Sequence, residues 1–267
     1  MASPESDAHA RKGARYWVAL AVTGVIGGIL SGAFGVGGGI LMVPLLIGLT
    51  GMDQKRAAAT SLVAIIPTAI AGSATYFANG EVDLLVALLV AIGGVAGSYL
   101  GAKLLRRIPV VWLRWLFIAL LIGIAIRLFL IAPERGAEVQ VDWLIGLALV
   151  ASGLFMGVAS GLFGIGGGVI LVPLLITGFG AGDLVAKGTS LLVMVPTATM
   201  GTITNARGRM VDVRAGVVVG LAATLASFIG VALAFLVPPE VSGILFAILL
   251  IISAVQLTIR AVRLQLK

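Results

Sequence analysis

Residues 31–46 read SGAFGVGGGILMVPLL, and almost the same words return at residues 160–175 as SGLFGIGGGVILVPLL. Each block sets a cluster of glycines before an aliphatic run that contains a proline. Glycine and proline are the residues that weaken an α-helix most, by about 1 and about 3 kcal/mol relative to alanine. Each block therefore predicts that one helix ends at the glycines and that a short, proline-containing helix begins there.

The composition places these blocks in a membrane protein. The chain has 267 residues, of which 60% are hydrophobic and 11% charged, whereas soluble domains have about 25% charged residues. Its net charge of +7 comes from Lys and Arg between apolar segments, where membrane proteins meet lipid headgroups, so no nucleic-acid partner is predicted. The chain lacks cysteine, and its only histidine is His9 in the polar tail, so we predict no metal, no cofactor and no catalytic residue.

Eight apolar stretches have the length of about 17–25 residues that a transmembrane helix needs. Two more, at residues 38–50 and 167–179, follow the glycine clusters and reach only about 20 Å at about 1.5 Å per residue, short of a hydrocarbon core of about 30 Å. The long stretches are residues 17–34, 60–78, 84–104, 111–131, 143–163, 189–205, 213–236 and 241–259.

The charges between the stretches indicate whether the short ones cross. If they do, Lys and Arg clusters such as residues 103–107 and 207–214 fall on the side of the N-terminal tail, and the acidic loop 79–83 falls on the other. Positive residues mark the cytoplasmic side. If the short stretches instead re-enter and return, 103–107 and 79–83 exchange sides. We therefore predict ten crossings of the cell (inner) membrane, with both termini cytoplasmic.

The chain is a doubled unit. The second glycine block follows the first by 129 residues, and the same offset relates Pro44 to Pro173 and Gly101 to Gly230. Because each unit holds five crossings, an odd number, the second copy enters the membrane from the opposite side. The predicted fold class is an all-α polytopic membrane protein of two five-segment inverted repeats. Its parts are a cytoplasmic tail at 1–15, repeat 1 at 16–132, a linker at 133–141, repeat 2 at 142–262 and a tail at 263–267.

Small residues recur at every fourth position on several predicted helices and would let helix backbones approach closely. These stripes serve either packing between the two halves or the contact of a homodimer, and the sequence leaves both open. Examples are Gly24, Gly28 and Gly32 in repeat 1 and Gly153, Gly157 and Gly161 in repeat 2.

The glycine clusters are the candidate site. A glycine break at membrane depth frees several backbone N–H groups, and the short helix adds the positive end of its dipole. Such a place binds anions without a buried Lys or Arg. The alternative is a tight helix–helix turn with no ligand, but two equivalent clusters that meet by inversion favour a transporter's site. The predicted binding glycines are Gly35, Gly37, Gly38, Gly39, Gly164, Gly166, Gly167 and Gly168.

Hydroxyl residues and prolines follow each cluster. Thr60 and Ser61 start the next predicted crossing in repeat 1, as Thr189 and Ser190 do in repeat 2. Their hydroxyls either donate to the anion or cap the helix start. Prolines within the predicted helices would kink them and assist gating; they are Pro44, Pro67, Pro173 and Pro196.

Acidic side chains fall only at the ends of the predicted spans. This arrangement gives proton coupling little support and leaves a facilitator running down the substrate gradient as an alternative. The side chains concerned are Asp53, Glu81, Asp83, Asp183 and Asp212.

The doubled pattern S-G-x-F-G-[VI]-G-G-G-x-x-x-V-P-L-L, with T-S-L and P-T after each copy, resembles the sulfite exporter TauE/SafE family, also called the toluene sulfonate uptake permease family. The resemblance covers about residues 16–262. It implies a membrane carrier of sulfur-containing anions such as sulfite, sulfoacetate, other organosulfonates, thiosulfate or sulfolactate, linked in several members to protons. By position, it adds Phe34 and Phe163 to the glycines as motif residues.

From these observations we predict a carrier that works by alternating access and holds a small anion between the repeats with glycine amides and Thr or Ser hydroxyls. Its partners are then that anion and the lipid bilayer. An anion channel or facilitator for small organic anions would share the chemistry but not the turnover, and a membrane-embedded partner subunit would be inert alone. An intramembrane enzyme is not supported, because the chain has no H-E-x-x-H or G-x-S-x-G motif.

Overall fold

The structure is a computed structural model that describes residues 13–130 and 139–265. Residues 1–12 of the predicted N-terminal tail, which include His9, most of the predicted linker, and the last two residues lie outside the described residues. The described part folds into ten α-helices. They are α1 (Ala14–Phe34), α2 (Gly39–Thr50), α3 (Gln54–Ala78), α4 (Leu84–Arg107), α5 (Val110–Leu130), α6 (Trp143–Phe163), α7 (Gly168–Phe179), α8 (Asp183–Arg207), α9 (Val213–Leu236) and α10 (Pro239–Gln265).

Seven of these helices are long and apolar enough over their described residues to cross a membrane, and α2, α5 and α7 are the other three. The chain is therefore an all-α polytopic membrane protein. As the glycine blocks predict, α2 and α7 are short, with 12 residues each, or about 18 Å of helix. The ten-crossing topology stays a prediction.

Two helices begin earlier than the sequence indicates. We expected crossings to start at Thr60 and Thr189, but α3 begins at Gln54 and α8 at Asp183. In α3 the Asp53 carboxylate accepts hydrogen bonds from the backbone N–H groups of the next turn, at 3.0 Å each, and an N-cap of this kind stabilises a helix start. The interpretation of Thr60 and Thr189 as caps of their own helices is therefore wrong. The prediction used hydropathy alone, so each predicted crossing began only after the charged residues of the first turn.

The tightest helix contacts join the two repeats. On α1, Gly24 and Gly28 lie against the backbone of Val219 and Ala223 of α9, so closely that a Cβ atom would not fit at either glycine. The same contacts recur 129 residues along the chain with the repeats exchanged, as Gly153 and Gly157 of α6 on Val90 and Gly94 of α4. The stripes are therefore used in packing between the halves, and a homodimer would need another surface.

The helix bundle has two chemically different ends. At what we call the basic end, the Lys55 ammonium donates to the Arg106 carbonyl at 3.3 Å, and Arg56 pairs with Asp212 at 3.2 Å. At the opposite end, Gly188 packs on the Glu81 carbonyl. The central helices α3 and α8 pack on each other, α3 beginning at the basic end and α8 at the opposite end. Two repeats related by a two-fold axis would make such swapped contacts; their inverted orientation in a bilayer stays a prediction.

Candidate anion site where the glycine motifs meet

Each glycine motif is a sharp break between a long and a short helix. Helix α1 ends at Phe34 and is capped by Gly35, whose φ is +67° and whose N–H donates to the Ser31 carbonyl at 2.9 Å. Gly37 and Gly38 follow with φ of +73° and +70°, and α2 begins at the next residue. Repeat 2 has the same run of left-handed glycines, at Gly164, Gly166 and Gly167. Only glycine adopts these angles at low cost, so the sequence dictates the break.

The two motifs are in contact with each other and are buried. A Cβ atom added at Gly39 would lie 2.5 Å from the carbonyl oxygen of Gly164, and one added at Gly168 would lie 2.5 Å from that of Gly35. Gly37 packs against the Met194 side chain, as does Gly166. The structure thus brings together all eight glycines that the sequence singled out.

The motifs carry two runs of unpaired backbone donors. Within the described part of the chain, the N–H groups of residues 36–40 and 165–169 make no hydrogen bond. The first turn of a helix has no acceptor for its own N–H groups, and it carries the positive end of the helix dipole. Buried N–H groups are normally paired. Five unpaired donors in succession in each motif therefore make this region suited to bind a negatively charged group.

Ser61 and Ser190 hold the motifs in place. The Ser61 hydroxyl donates to the Gly164 carbonyl at 2.6 Å and shares its proton with Ala58 of its own helix at 2.9 Å. The Ser190 hydroxyl donates to the Gly35 carbonyl at 2.9 Å. Since a hydroxyl has one proton, neither serine donates to a ligand in this conformation. Each instead joins the central helix of one repeat to the motif of the other.

Thr60 and Thr189 lie away from the contact between the motifs. The Thr60 hydroxyl oxygen accepts from the Asp212 N–H at 3.0 Å, and that of Thr189 accepts from the Asp83 N–H at 3.0 Å. Asp83 and Asp212 are the N-caps of α4 and α9. Each threonine therefore fixes the start of a helix in the other repeat. Neither of these two hydrogen bonds involves a glycine motif.

The motif phenylalanines attach the outer helices. Phe34 stacks on Phe246 of α10, and Phe163 stacks on Phe117 of α5, each pair with ring centroids 5.1 Å apart and planes 17° apart. Offset aromatic pairs at this distance are favourable. The four predicted gating prolines all lie inside helices, Pro44 in α2, Pro67 in α3, Pro173 in α7 and Pro196 in α8; their role in gating stays a prediction.

Two serines that we did not single out lie beside the candidate site. Ser31 and Ser160 are fully buried, and their hydroxyls have no partner among the described residues. Each lies four residues after a position that contacts a motif, since the Gly27 carbonyl packs on Gly38 and the Met156 side chain packs on Gly167. Positions i and i+4 share a helix face, so both serines lie on the face turned to the glycines. The signal was present, because serine is the first letter of both blocks.

One buried ion pair breaks the symmetry of the repeats. Lys187 Nζ lies 2.8 Å from Asp183 Oδ2 and 2.9 Å from Ser242 Oγ, and both charged side chains are 3% exposed. The backbone of Lys187 packs directly on Gly35. The Lys187 ammonium is held by Asp183 and Ser242, and an anion site without a buried Lys or Arg stays a prediction. The sequence placed residues 183–187 in a loop, whereas α8 begins there.

The chain is similar in sequence to known proteins. A family model described as "Sulfite exporter TauE/SafE" matches residues 1–128 and 149–265. "Probable membrane transporter protein YdhB" of Bacillus subtilis (strain 168) is 31% identical over 180 residues, which cover 66% of this chain and 73% of that protein. A "Probable membrane transporter protein" of Xylella fastidiosa (strain 9a5c) is 30% identical over 193 residues, 71% of this chain and 74% of the relative.

Proposed function

Since this chain belongs to the sulfite exporter TauE/SafE family of membrane transporters, we propose that it carries small sulfur-containing anions, such as sulfoacetate, other organosulfonates or sulfite. The observation that carries the proposal is the contact between two glycine motifs, whose N–H groups at residues 36–40 and 165–169 are unpaired within the described part of the chain. The family predicted from the glycine blocks is confirmed.

The donors of the site suit an oxyanion. Backbone N–H groups at a helix start bind sulfate, phosphate and carboxylate groups readily, and a sulfonate presents three acceptor oxygens to them. The hydroxyls of Ser31 and Ser160 add two buried donors, for which the described residues offer no partner. An anion that occupied this place would satisfy groups that otherwise cost free energy by being buried unpaired.

Burial of the motifs favours a carrier over a channel. The glycines lie inside the protein and are held by Ser61 and Ser190 from the opposite repeats. A site closed in this way would have to open to one face at a time, which is alternating access between the repeats. The charge distribution supports a cell (inner) membrane orientation with the basic end and both termini cytoplasmic.

Counterflow in proteoliposomes tests the proposal. Liposomes that contain the purified protein and unlabelled sulfoacetate should accumulate labelled sulfoacetate transiently, and sulfite should compete. Protein-free liposomes and external malonate, a dicarboxylate of similar size, are the controls. A channel would give flux without counterflow, and no movement of any sulfur oxyanion would count against the proposed substrate class.

A further inference from the structure

The opposite end of the bundle is closed by an aromatic pair. Tyr76 of α3 is fully buried, and its hydroxyl donates to the Gly32 carbonyl of α1 at 2.9 Å. Its ring stacks on Phe235 of α9, with centroids 5.6 Å apart and planes 29° apart. These contacts fill the space between α1, α3 and α9 next to Ser31, the first residue of the first glycine block.

The equivalent positions at the basic end hold polar residues. An offset of 129 residues maps Tyr76 onto Asn205 and Phe235 onto Arg106. Asn205 is fully buried, and neither its amide nitrogen nor its amide oxygen has a partner among the described residues. The Arg106 guanidinium donates to the carbonyl of Thr204, the residue before Asn205, and packs against Gly208.

The difference between the two pairs leaves hydrogen-bonding groups unused at the basic end. Within the described residues Asn205 makes no bond to the Gly161 carbonyl like the one from Tyr76 to Gly32, and the neighbouring Ser160 hydroxyl is also unpartnered. A buried side-chain amide without a partner requires an explanation, such as a ligand. Arginine supplies five N–H donors in a fork that fits sulfonate and carboxylate groups. Lys55 adds a further positive charge beside Arg106.

We propose that Asn205 and Arg106 form a vestibule for oxyanions at the basic end, from which a sulfonate or carboxylate group passes by Ser160 to the glycine motifs. The inference rests on the proposed function for the identity of the passing anion. In this conformation Tyr76 and Phe235 seal the matching route at the opposite end. The two mouths of the carrier therefore differ in chemistry although the repeats share one architecture.

Thiol labelling tests the vestibule without any transport measurement, because the chain contains no cysteine. Asn205→Cys and its control at the opposite end, Ser31→Cys, which leaves Tyr76 in place, are treated in the purified full-length protein with 2-sulfonatoethyl methanethiosulfonate, which is itself a sulfonate, and with its trimethylammonium counterpart. The thiolate attacks the reagent's sulfenyl sulfur, a mixed disulfide forms, and methanesulfinate leaves. Mass spectrometry gives both labelling rates.

At Asn205→Cys the anionic reagent should react about tenfold faster than the cationic one, a ratio typical of electrostatic steering. Ser31→Cys should react slowly with both reagents, because Tyr76 and Phe235 still close that end. Adding Arg106→Gln to Asn205→Cys should remove most of the anionic preference. If Asn205→Cys does not fold, the nearly isosteric Ser160→Cys serves as the reporter, with Ser31→Cys as its control at the opposite end.

The labelling and counterflow results separate the two proposals. Preference for the anionic reagent supports the vestibule even if sulfoacetate and sulfite are not transported. Equal rates, a preference for the cationic reagent, or equal labelling at Ser31→Cys would overturn the vestibule, even in protein that transports sulfoacetate.

Discussion

The hydroxyl of Ser61 donates a hydrogen bond of 2.6 Å to the carbonyl oxygen of Gly164. Ser61 belongs to the central helix of repeat 1, and Gly164 belongs to the glycine motif of repeat 2. The reciprocal bond joins Ser190 to Gly35. Because both bonds cross between the repeats, a displacement of either central helix would displace the motif of the other half.

We expect Ser61→Ala to destabilise the protein, because the buried Gly164 carbonyl loses its side-chain donor. An unsatisfied buried polar group costs about 1–3 kcal/mol, which should appear as a lower midpoint of thermal unfolding in detergent. Ser190→Ala should behave alike. Ser73→Ala is the control, since that hydroxyl bonds only within its own helix, to Ile70 at 3.2 Å. An equal effect of all three changes would contradict the proposed bond between the repeats.

Replacement of Gly38 or Gly167 by valine should abolish counterflow while the protein still reaches the membrane. Both glycines have positive φ, +70° and +94°, where a residue with a Cβ atom costs about 1–3 kcal/mol. At Gly38 the added Cβ would also meet the Gly27 carbonyl. The matched control is Gly48→Val in α2, the short helix that follows Gly38, where no neighbouring atom lies within 4 Å of the added Cβ. Undiminished counterflow in both motif variants would sink the site assignment.

The sequence predicted the break at each glycine motif and the family, because these depend on local backbone chemistry and on a repeated pattern. The bounds of α6 and α9 also agree with the apolar stretches 143–163 and 213–236. The starts of α3 and α8 were missed because a first turn with charged residues extends each helix past its apolar run, and in α3 the Asp53 cap stabilises that turn. Hydropathy measures transfer of side chains to lipid and takes no account of a cap's hydrogen bonds.

The environment of individual polar residues could not be read from the sequence. Ser61 and Ser190 have the donors expected of an anion site, but their protons are committed to carbonyls from the other repeat, a contact set by tertiary packing. A lysine between apolar segments is typical of a loop. Lys187 is instead buried, and its ammonium donates to Asp183 and to Ser242 of α10. Ser31 and Ser160 were overlooked because serine in a membrane helix is also a common packing residue.

Ser31→Ala and Ser160→Ala should weaken substrate binding without weakening the fold. Neither hydroxyl has a partner among the described residues to lose, so the thermal midpoint should stay constant or rise. A hydrogen bond to a charged group contributes about 1.5–3 kcal/mol, so KM for counterflow should rise by about tenfold or more. Ser253→Ala is the control, because that hydroxyl on α10 is equally buried and has no partner among the described residues, but it lies outside both glycine blocks. An unchanged KM in both motif variants would remove these serines from the site.

Lys187→Ala should be the most destabilising of these changes. It would leave the Asp183 carboxylate buried without its cation, and breaking a buried pair from one side costs about 3–5 kcal/mol. The triple variant Asp183→Gln/Lys187→Ala/Ser242→Leu instead installs the residues that repeat 1 has at the equivalent positions, Gln54, Ala58 and Leu113. Because it leaves no uncompensated charge, it should regain most of the lost stability. Thermal unfolding of both variants in detergent measures the difference. If the triple variant unfolds as early as Lys187→Ala, the pair is stabilised by more than its mutual charge compensation, and this account of its role is wrong.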